Sequence, residues 1–445
     1  MNLRIDPPTG TYDWHPEEFV QRKYIFDIWR STCLSFGFEE YLTPILENAE
    51  LYKLKSGGDI RLELLSFKKE KEELAIRPEM TPSVCRMVSK FYNTKPKPIK
   101  LFSIANFYRF QKPQRGRNRE FWQLNCDIFG SNNVLADVEV IKLAVQIMNN
   151  LGADDSMFVI LLNYRPFVRY FLSSYLSINE DKHDIALSIF DKYFKLSKQE
   201  FLYKLHNDLN VIIRDEKEFW LLFDDTNFLL DFINTKYLHV TNDRFFTDFI
   251  KYLEICGLSK YIRIFLPLVR GLTYYTGMVF ELFDKQILNL SSSNDAEIIK
   301  RSIFGGGRYD NLSDIFGIKH FYAVGFAPGD ETIKLFLQKY NLMPQLSTTL
   351  QVYFLPILKS DFKYIAYLFA LADFLRKEGL NIFVSNSTLS ITKALDFANR
   401  KNFGYVIIFG DNEIEHKKYV IKNMRSGVEV VLDLPIHIKN VLDAN

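Results

Sequence analysis

The stretch Glu120 to Gly130, EFWQLNCDIFG, concentrates side chains that could do chemistry. Read as a strand, it puts Phe121, Gln123, Asn125 and Asp127 on one face and Trp122, Leu124, Cys126 and Ile128 on the other. The second face predicts core, the first an unusually polar floor. Alternation of this kind also describes any half-exposed antiparallel strand, so a solvated sheet face is the competing reading. An aromatic ring, an amide and a carboxylate in register suit a small polar ligand better.

Arginines stand beside that floor. The strand-like run Ile99 to Phe107 ends in Tyr108 and Arg109, and the loop Phe110 to Arg119, FQKPQRGRNR, leads into the next strand. From Lys90 to Arg119 there are nine Lys or Arg residues and no acid. A hairpin would hold Arg109 next to the floor and let Arg115, Arg117 and Arg119 close over an anion. Phosphate suits this set, because the guanidinium fork donates two parallel hydrogen bonds. The chain has no G-x-x-x-x-G-K-[ST] and no G-x-G-x-x-G opening a helix, so the pattern predicts a nucleotide site without a P-loop or dinucleotide fingerprint. Glu79 falls in a loop just before a helix predicted to open at Thr81 as N-cap, with Pro82 at the first helical position.

Several elements must position these groups. Pro16, Glu17 and Glu18 start a helix whose Ile25, Ile28, Trp29, Cys33 and Phe36 face the core until Gly37 stops it. Pro166 to Leu258, dense in Phe, Leu, Ile and Tyr and poor in Gly and Pro, reads as a helical insertion. A strand over Tyr274 to Leu282, the triple glycine Gly305 to Gly307, and a strand and turn over Ala323 to Gly329 follow. Asn341 to Thr349 reads as a linker. Beyond it, strands at Gln351 to Leu355, Asn381 to Val384 and Tyr405 to Phe409 alternate with helices at Phe362 to Glu378 and Ser390 to Asn399. That order suggests a compact α/β module with a parallel or mixed sheet.

Composition sets the outer bounds. The 445 residues, 47% hydrophobic and 25% charged, allow about three ordinary globular domains. No apolar run approaches the roughly 20 residues of a bilayer span, and Met1 to Tyr12 has neither a signal-peptide core nor a transit-peptide character. A cytoplasmic protein is expected. Cys33, Cys85, Cys126 and Cys256 lie far apart without C-x-x-C spacing, which predicts neither a disulfide framework nor a zinc site. The seven histidines are scattered and are assigned no catalytic role, and the formal charge of +2 by itself implies no polyanion partner.

Taken in order, PPTGTYDWHPEE, FGFEEYLTPILE, IRPEMTPSV, FYRFQKPQRGRNREFWQLNCDIFG, LVRGLTYYTGMVFE and GGGRYDNL resemble the histidyl-tRNA synthetase family of class II aminoacyl-tRNA synthetases. KALDFANRKNFGYVIIFGDNEI and VIKNMRSGVEVVL resemble that family's anticodon-binding domain. The resemblance implies an α+β fold: a class II synthetase-type antiparallel sheet flanked by helices, a helical insertion, and a C-terminal α/β anticodon-binding-like domain. The corresponding division is a catalytic core over 1–165 and 261–338, an insertion over 166–260, a linker over 339–349 and an anticodon-binding-like domain over 350–445.

The same resemblance implies roles. Arg109 matches the arginine that grips the ATP α-phosphate, and Arg270 the one that sits against it from the other side, where related enzymes use a metal ion. Phe121 matches the ring that stacks on adenine, Arg117 a loop arginine near the nucleotide, and Tyr309 with Arg308 a border of the nucleotide. Glu79, Thr81 and Gln123 match the groups that hold the histidine ammonium, for which acceptors are the right chemistry. Asp127, Tyr274 and Tyr275 match positions of the histidine pocket, Asp127 and Tyr275 those that read the imidazole. Pro44 matches the dimer-interface motif, so a homodimer is expected. The implied activity is histidine activation by ATP, with Mg2+ as part of the substrate complex, followed by transfer to tRNA(His), without a membrane partner. The alternative is a catalytically silent relative, the histidine-sensing regulatory subunit of ATP phosphoribosyltransferase.

Three departures stand out. Thr332, in GFAPGDET, occupies the place of an arginine expected on the γ-phosphate, which should weaken ATP binding by about 1.5–3 kcal/mol unless Lys112 or Arg115 supplies the charge. Thr273 replaces an aspartate and Gln111 a glutamate. Asp127 stands where a glutamate is frequent, keeping the charge on a shorter side chain.

Overall fold

The helix predicted at Pro16 runs to Ser35, with Glu17 and Glu18 in its first turn where the helix dipole favours negative charge. Ile25, Phe26, Trp29 and Cys33 form its buried face. The computed structural model describes residues 5–53, 62–269, 274–292, 301–316, 320–345, 352–433, 435, 437 and 438. Arg270 and Thr273 therefore lie outside the described residues. The chain divides into two compact units, Met1–Pro344 and Gln345–Asn445.

In the first unit, the hairpin read from the sequence pairs Ile99–Tyr108 with Glu120–Phe129 antiparallel along all ten residues, with Ser103 opposite Asn125 and Phe107 opposite Phe121. These strands sit in an eight-stranded sheet ordered Glu39–Glu40, Ile99–Tyr108, Glu120–Phe129, Ala323–Phe326, Phe304–Arg308, Met278–Asp284, Phe158–Tyr164, Ile262–Ile264. The six central strands run antiparallel to their neighbours, while the short strand at each edge pairs in parallel, so the sheet is mixed rather than wholly antiparallel. The helices Pro16–Ser35 and Val134–Asn150 pack on it, the latter capped by the Asn133 side chain accepting from Leu135 N at 2.9 Å.

Two boundaries differ from expectation. The short helix Thr81–Ser89 has Met80 at its N-cap, so Thr81 is its first helical residue and Pro82 its second. The strand expected from Tyr274 begins at Met278, because Tyr274 to Gly277 form an irregular approach to it. Between Arg165 and Tyr261 the described residues are helical segments joined by short loops, none longer than the 12 residues of Lys198–Leu209. Their buried aromatics, Phe171, Phe190, Phe201 and Phe223 among them, join the same apolar core as the sheet.

The second unit is a five-stranded sheet ordered Asn381–Thr388, Val352–Ile357, Tyr405–Ile408, Tyr419–Asn423, Glu429–Leu432. Its first three strands are parallel and its last two antiparallel, as a mixed α/β module requires. The helix Phe362–Lys377 buries Tyr364, Leu368, Leu371 and Leu375 against this sheet.

Candidate active site

A small cavity opens over the strand Glu120–Phe129. Glu79, Thr81, Arg109, Gln123, Asn125, Asp127, Tyr274, Tyr275, Tyr309 and the strand end Gly325 to Ala327 line it. The polar face read from the alternation is thus the floor of a pocket, not a solvated surface. Gln123 donates from Nε2 to the Ala327 carbonyl at 3.2 Å, which leaves its amide oxygen as the acceptor. Tyr274 donates its hydroxyl to Glu79 Oε2 at 3.3 Å, and Glu79 is 5% exposed. At the rim, the Arg109 guanidinium donates from Nε to the Pro78 carbonyl at 2.9 Å and sits 5.3 Å from the Phe121 ring. Burial pushes the Arg109 pKa down, the Glu79 and Glu63 carboxylates pull it back up, and Arg117 pushes it down again.

Tyr309, expected to border the nucleotide, lines this pocket and donates its hydroxyl to Asp127 Oδ1. Burial raises the Asp127 pKa to about 7, against the lowering effect of the Tyr309 hydrogen bond. Arg308, expected with it, is turned away: its guanidinium pairs with buried Asp137 and with Asp310, and bonds the Ser131 carbonyl at 3.0 Å. The glycines explain how these groups fit. A side chain at Gly325 would collide with the Asp127 carboxylate, and one at Gly307 with the Tyr275 ring. Asn125 is buried with its Nδ2 unpartnered among the described residues, a state that costs about 1–3 kcal/mol.

A second, larger cavity is built from the 110–119 loop, the insertion and the approaches to the central strands. Gln114, Gly116, Arg117, Asp191, Lys195, Glu281, Arg301 and Thr332 are among its lining residues. Thr332 donates its hydroxyl to the Ile303 carbonyl at 2.7 Å and packs under the loop tip at Gly116. Of the loop cations expected over an anion, Arg117 lines this cavity. Lys112 and the Arg115 side chain do not; Arg115 contributes its carbonyl, which accepts from Arg301 Nη1 at 3.1 Å. Arg119 points the other way, bonding the Gln111 and Thr9 carbonyls at 3.1 and 3.2 Å and lying 4.1 Å from the Phe110 ring.

Arg301 and Glu281 were missed by sequence reasoning, although Arg301 stands four residues before the triple glycine and Glu281 ends the quoted run GMVFE. No histidine lines either cavity. Among the described residues, no group of three or more His, Cys, Asp and Glu side chains could hold a metal ion, and no helix is long and apolar enough to cross a membrane. The arrangement can bind a zwitterion with a polar side chain in the small pocket and an anion across the Arg117 and Arg301 cavity.

A family model described as histidyl-tRNA synthetase matches residues 10–193 and 249–333, and one described as anticodon binding domain matches 351–443. The histidine–tRNA ligase of Leptospira biflexa is 34% identical over 432 residues, covering 96% of this chain and 94% of that protein. The histidine–tRNA ligase of Thermococcus kodakarensis is 32% identical over 457 residues, covering 99% of each. The solved histidyl-tRNA synthetase of Nostoc sp. PCC 7120 shares the fold, with a TM-score of 0.76 at 22% identity over 99% of this chain and 100% of that one.

Proposed function

The chain belongs to the histidyl-tRNA synthetase family, and from that premise we propose how its own side chains divide the substrates between the two cavities. Its activity is ATP-dependent histidine–tRNA ligation: histidine is activated to histidyl-adenylate, then esterified to the 3′ end of tRNA(His). The observation that carries the assignment is the small pocket, where acceptors, a buried carboxylate and Arg109 converge in a volume that suits one amino acid.

Glu79, Thr81 and the Gln123 oxygen accept from the histidine ammonium, and Asp127, Tyr274 and Tyr275 surround the imidazole. Tyr309 supports this reading from the amino-acid side by orienting Asp127. The histidine carboxylate attacks the α-phosphorus in line as pyrophosphate leaves. Arg109 neutralises charge on the non-bridging oxygens from one side, and Arg270, by its match to the family pattern, from the other. Adenine stacks on Phe121. No protein nucleophile is required, so the catalytic contribution is positioning and charge.

The β- and γ-phosphates lie along Arg117 and Arg301, which takes over the charge that Thr332 lacks. Mg2+ arrives with ATP as part of the substrate, and Glu281 and Asp191 are the carboxylates that line that cavity. The unit matched by the anticodon-binding model engages tRNA(His). A homodimer is supported by Leu42, Ile45 and Leu46, which flank Pro44 and are 68%, 45% and 42% exposed. Histidine-dependent exchange between ATP and pyrophosphate, followed by charging of tRNA, tests the assignment. Histidine binding without exchange would favour the regulatory reading.

A further inference from the structure

The ladder between the strands Glu120–Phe129 and Ala323–Phe326 ends at Cys126 opposite Phe326, and the chain then turns through Ala327, Pro328 and Gly329 into the helix Asp330–Lys339. Two further amides of the first strand, those of Leu124 and Trp122, point toward this segment and need acceptors. The Pro328 carbonyl accepts from Leu124 N at 3.0 Å. The next carbonyl, that of Gly329, is engaged within the helix, accepting from Ile333 N at 3.2 Å and from the Thr332 hydroxyl at 3.1 Å. A side chain fills the remaining rung: Asp330 Oδ1 accepts from Trp122 N at 3.0 Å. Asp330 is 2% exposed, and its charge is met by Arg22 Nη2, 2.6 Å from Oδ2, and by the N-terminal end of the helix it opens. A buried carboxylate is a costly way to close a ladder, and the best-attested reason to keep one is that it fixes a register.

We propose that Asp330 is a positioning residue for the ligation, whose Oδ1 bond to the Trp122 amide holds Phe121 and Gln123 where adenine and the histidine ammonium require them. The inference rests on the ligase reading and adds to it a residue that lines neither cavity. Phe121 and Gln123 are the immediate neighbours of Trp122, and successive strand residues point to opposite faces, so fixing Trp122 fixes both on the pocket face. Gln123 is tied to the same segment twice more: its backbone bridges Gly329, and its Nε2 donates to the Ala327 carbonyl at 3.2 Å. The amide oxygen left for the ammonium is therefore aimed by a segment whose seat on the strand is completed by Asp330. Arg22, on the helix Pro16–Ser35, also pairs with Glu331 at 3.2 Å, so the carboxylate is steadied from a third element.

The test uses the full-length protein and reads three things: exchange kinetics for both substrates, melting temperature, and deuterium uptake by a peptide spanning Phe121 to Leu124. D330A should speed uptake in that peptide and raise KM for histidine and for ATP about tenfold or more, since small misplacements of positioning groups are expensive. D330N keeps an amide oxygen for Trp122 N and should hold both KM values within about threefold of wild type while losing thermal stability. The double variant R22M/D330L replaces the ion pair with apolar side chains, so it should recover the melting temperature yet keep the raised KM values and the fast uptake. KM values that recover together with the melting temperature in that double variant would overturn the proposal and leave Asp330 a purely structural residue. Equal kinetic losses in D330N and D330A, or unchanged uptake in D330A, would overturn it as well. If wild-type protein shows no exchange, the ligase reading fails separately. Calorimetric histidine affinity of R22M/D330L then decides Asp330, with a loss of about tenfold expected and an unchanged affinity counting against it.

Discussion

The Tyr309 hydroxyl donates to the Asp127 carboxylate from 182 positions away in sequence, and both residues are almost wholly buried. Burial and that bond act on Asp127 in opposite directions, burial raising its pKa and the bond lowering it.

Burial holds the folded-state pKa of Asp127 at about 7, above the ordinary aspartate value near 3.9. The folded protein therefore binds this proton more tightly than the unfolded chain. The contribution favours folding below about pH 4 and is lost as pH rises toward 7. D127N should raise the melting temperature at pH 8 more than at pH 5 while abolishing histidine-dependent exchange. An equal shift at both pH values would show that the carboxylate is not held near 7.

Y309F removes the hydrogen bond that lowers the Asp127 pKa, so ionisation of Asp127 should require a higher pH. KM for histidine in the exchange assay should rise by about 10- to 100-fold, in line with a lost bond to a charged group worth about 1.5–3 kcal/mol. An effect confined to KM for ATP would return Tyr309 to the nucleotide side.

Arg301 and Arg117 should each matter to ATP and little to histidine. R301A is expected to raise KM for ATP about tenfold or more with KM for histidine within twofold, because a charge-assisted contact to a phosphate is lost. Adding T332R to R301A should recover part of that loss. Unchanged ATP kinetics in R301A would leave the replacement for the missing arginine elsewhere.

Arg22 is a stability prediction rather than a catalytic one. Its guanidinium lies 2.6 Å from Asp330 Oδ2 and 3.4 Å from the Trp14 ring, and Asp330 Oδ1 accepts from Trp122 N at 3.0 Å. R22A strands a buried carboxylate, so chemical denaturation should show a loss of about 3–5 kcal/mol. A loss below 1 kcal/mol would mean that Asp330 takes up a proton at little cost; its pKa is already raised to about 7 by burial.

Arg270 is tested by kinetics alone. R270A should cut exchange by about 100-fold or more if a second guanidinium neutralises the reacting phosphate. Full activity in that variant would remove Arg270 from the mechanism.

Much of the site was legible because its signals are local. Alternation over Glu120 to Phe129 specified which side chains share a face, and a hairpin joined by a basic loop put Arg109 beside them. The loop cations were not separable in this way. Arg117 and Arg119 are two residues apart in one basic run, yet one lines the larger cavity and the other is tied to the carbonyls of Thr9 and Gln111. Arg308 and Tyr309 are adjacent, yet one is neutralised by Asp137 and the other reaches Asp127. Cys33 and Cys126, 93 positions apart, lie with sulfurs 3.3 Å from each other as free thiols in the core.

The sequence by itself determined the element types, the polar strand face, the order of the family's motifs and the absence of a P-loop, since each depends on periodicity or short-range spacing. Only the tertiary structure decided which arginines pair with carboxylates and which line a cavity, and that Tyr309 meets Asp127. Those outcomes depend on partners brought together across the sheet from distant segments, where burial makes an unpaired charge costly and so forces each buried group to find its counterpart.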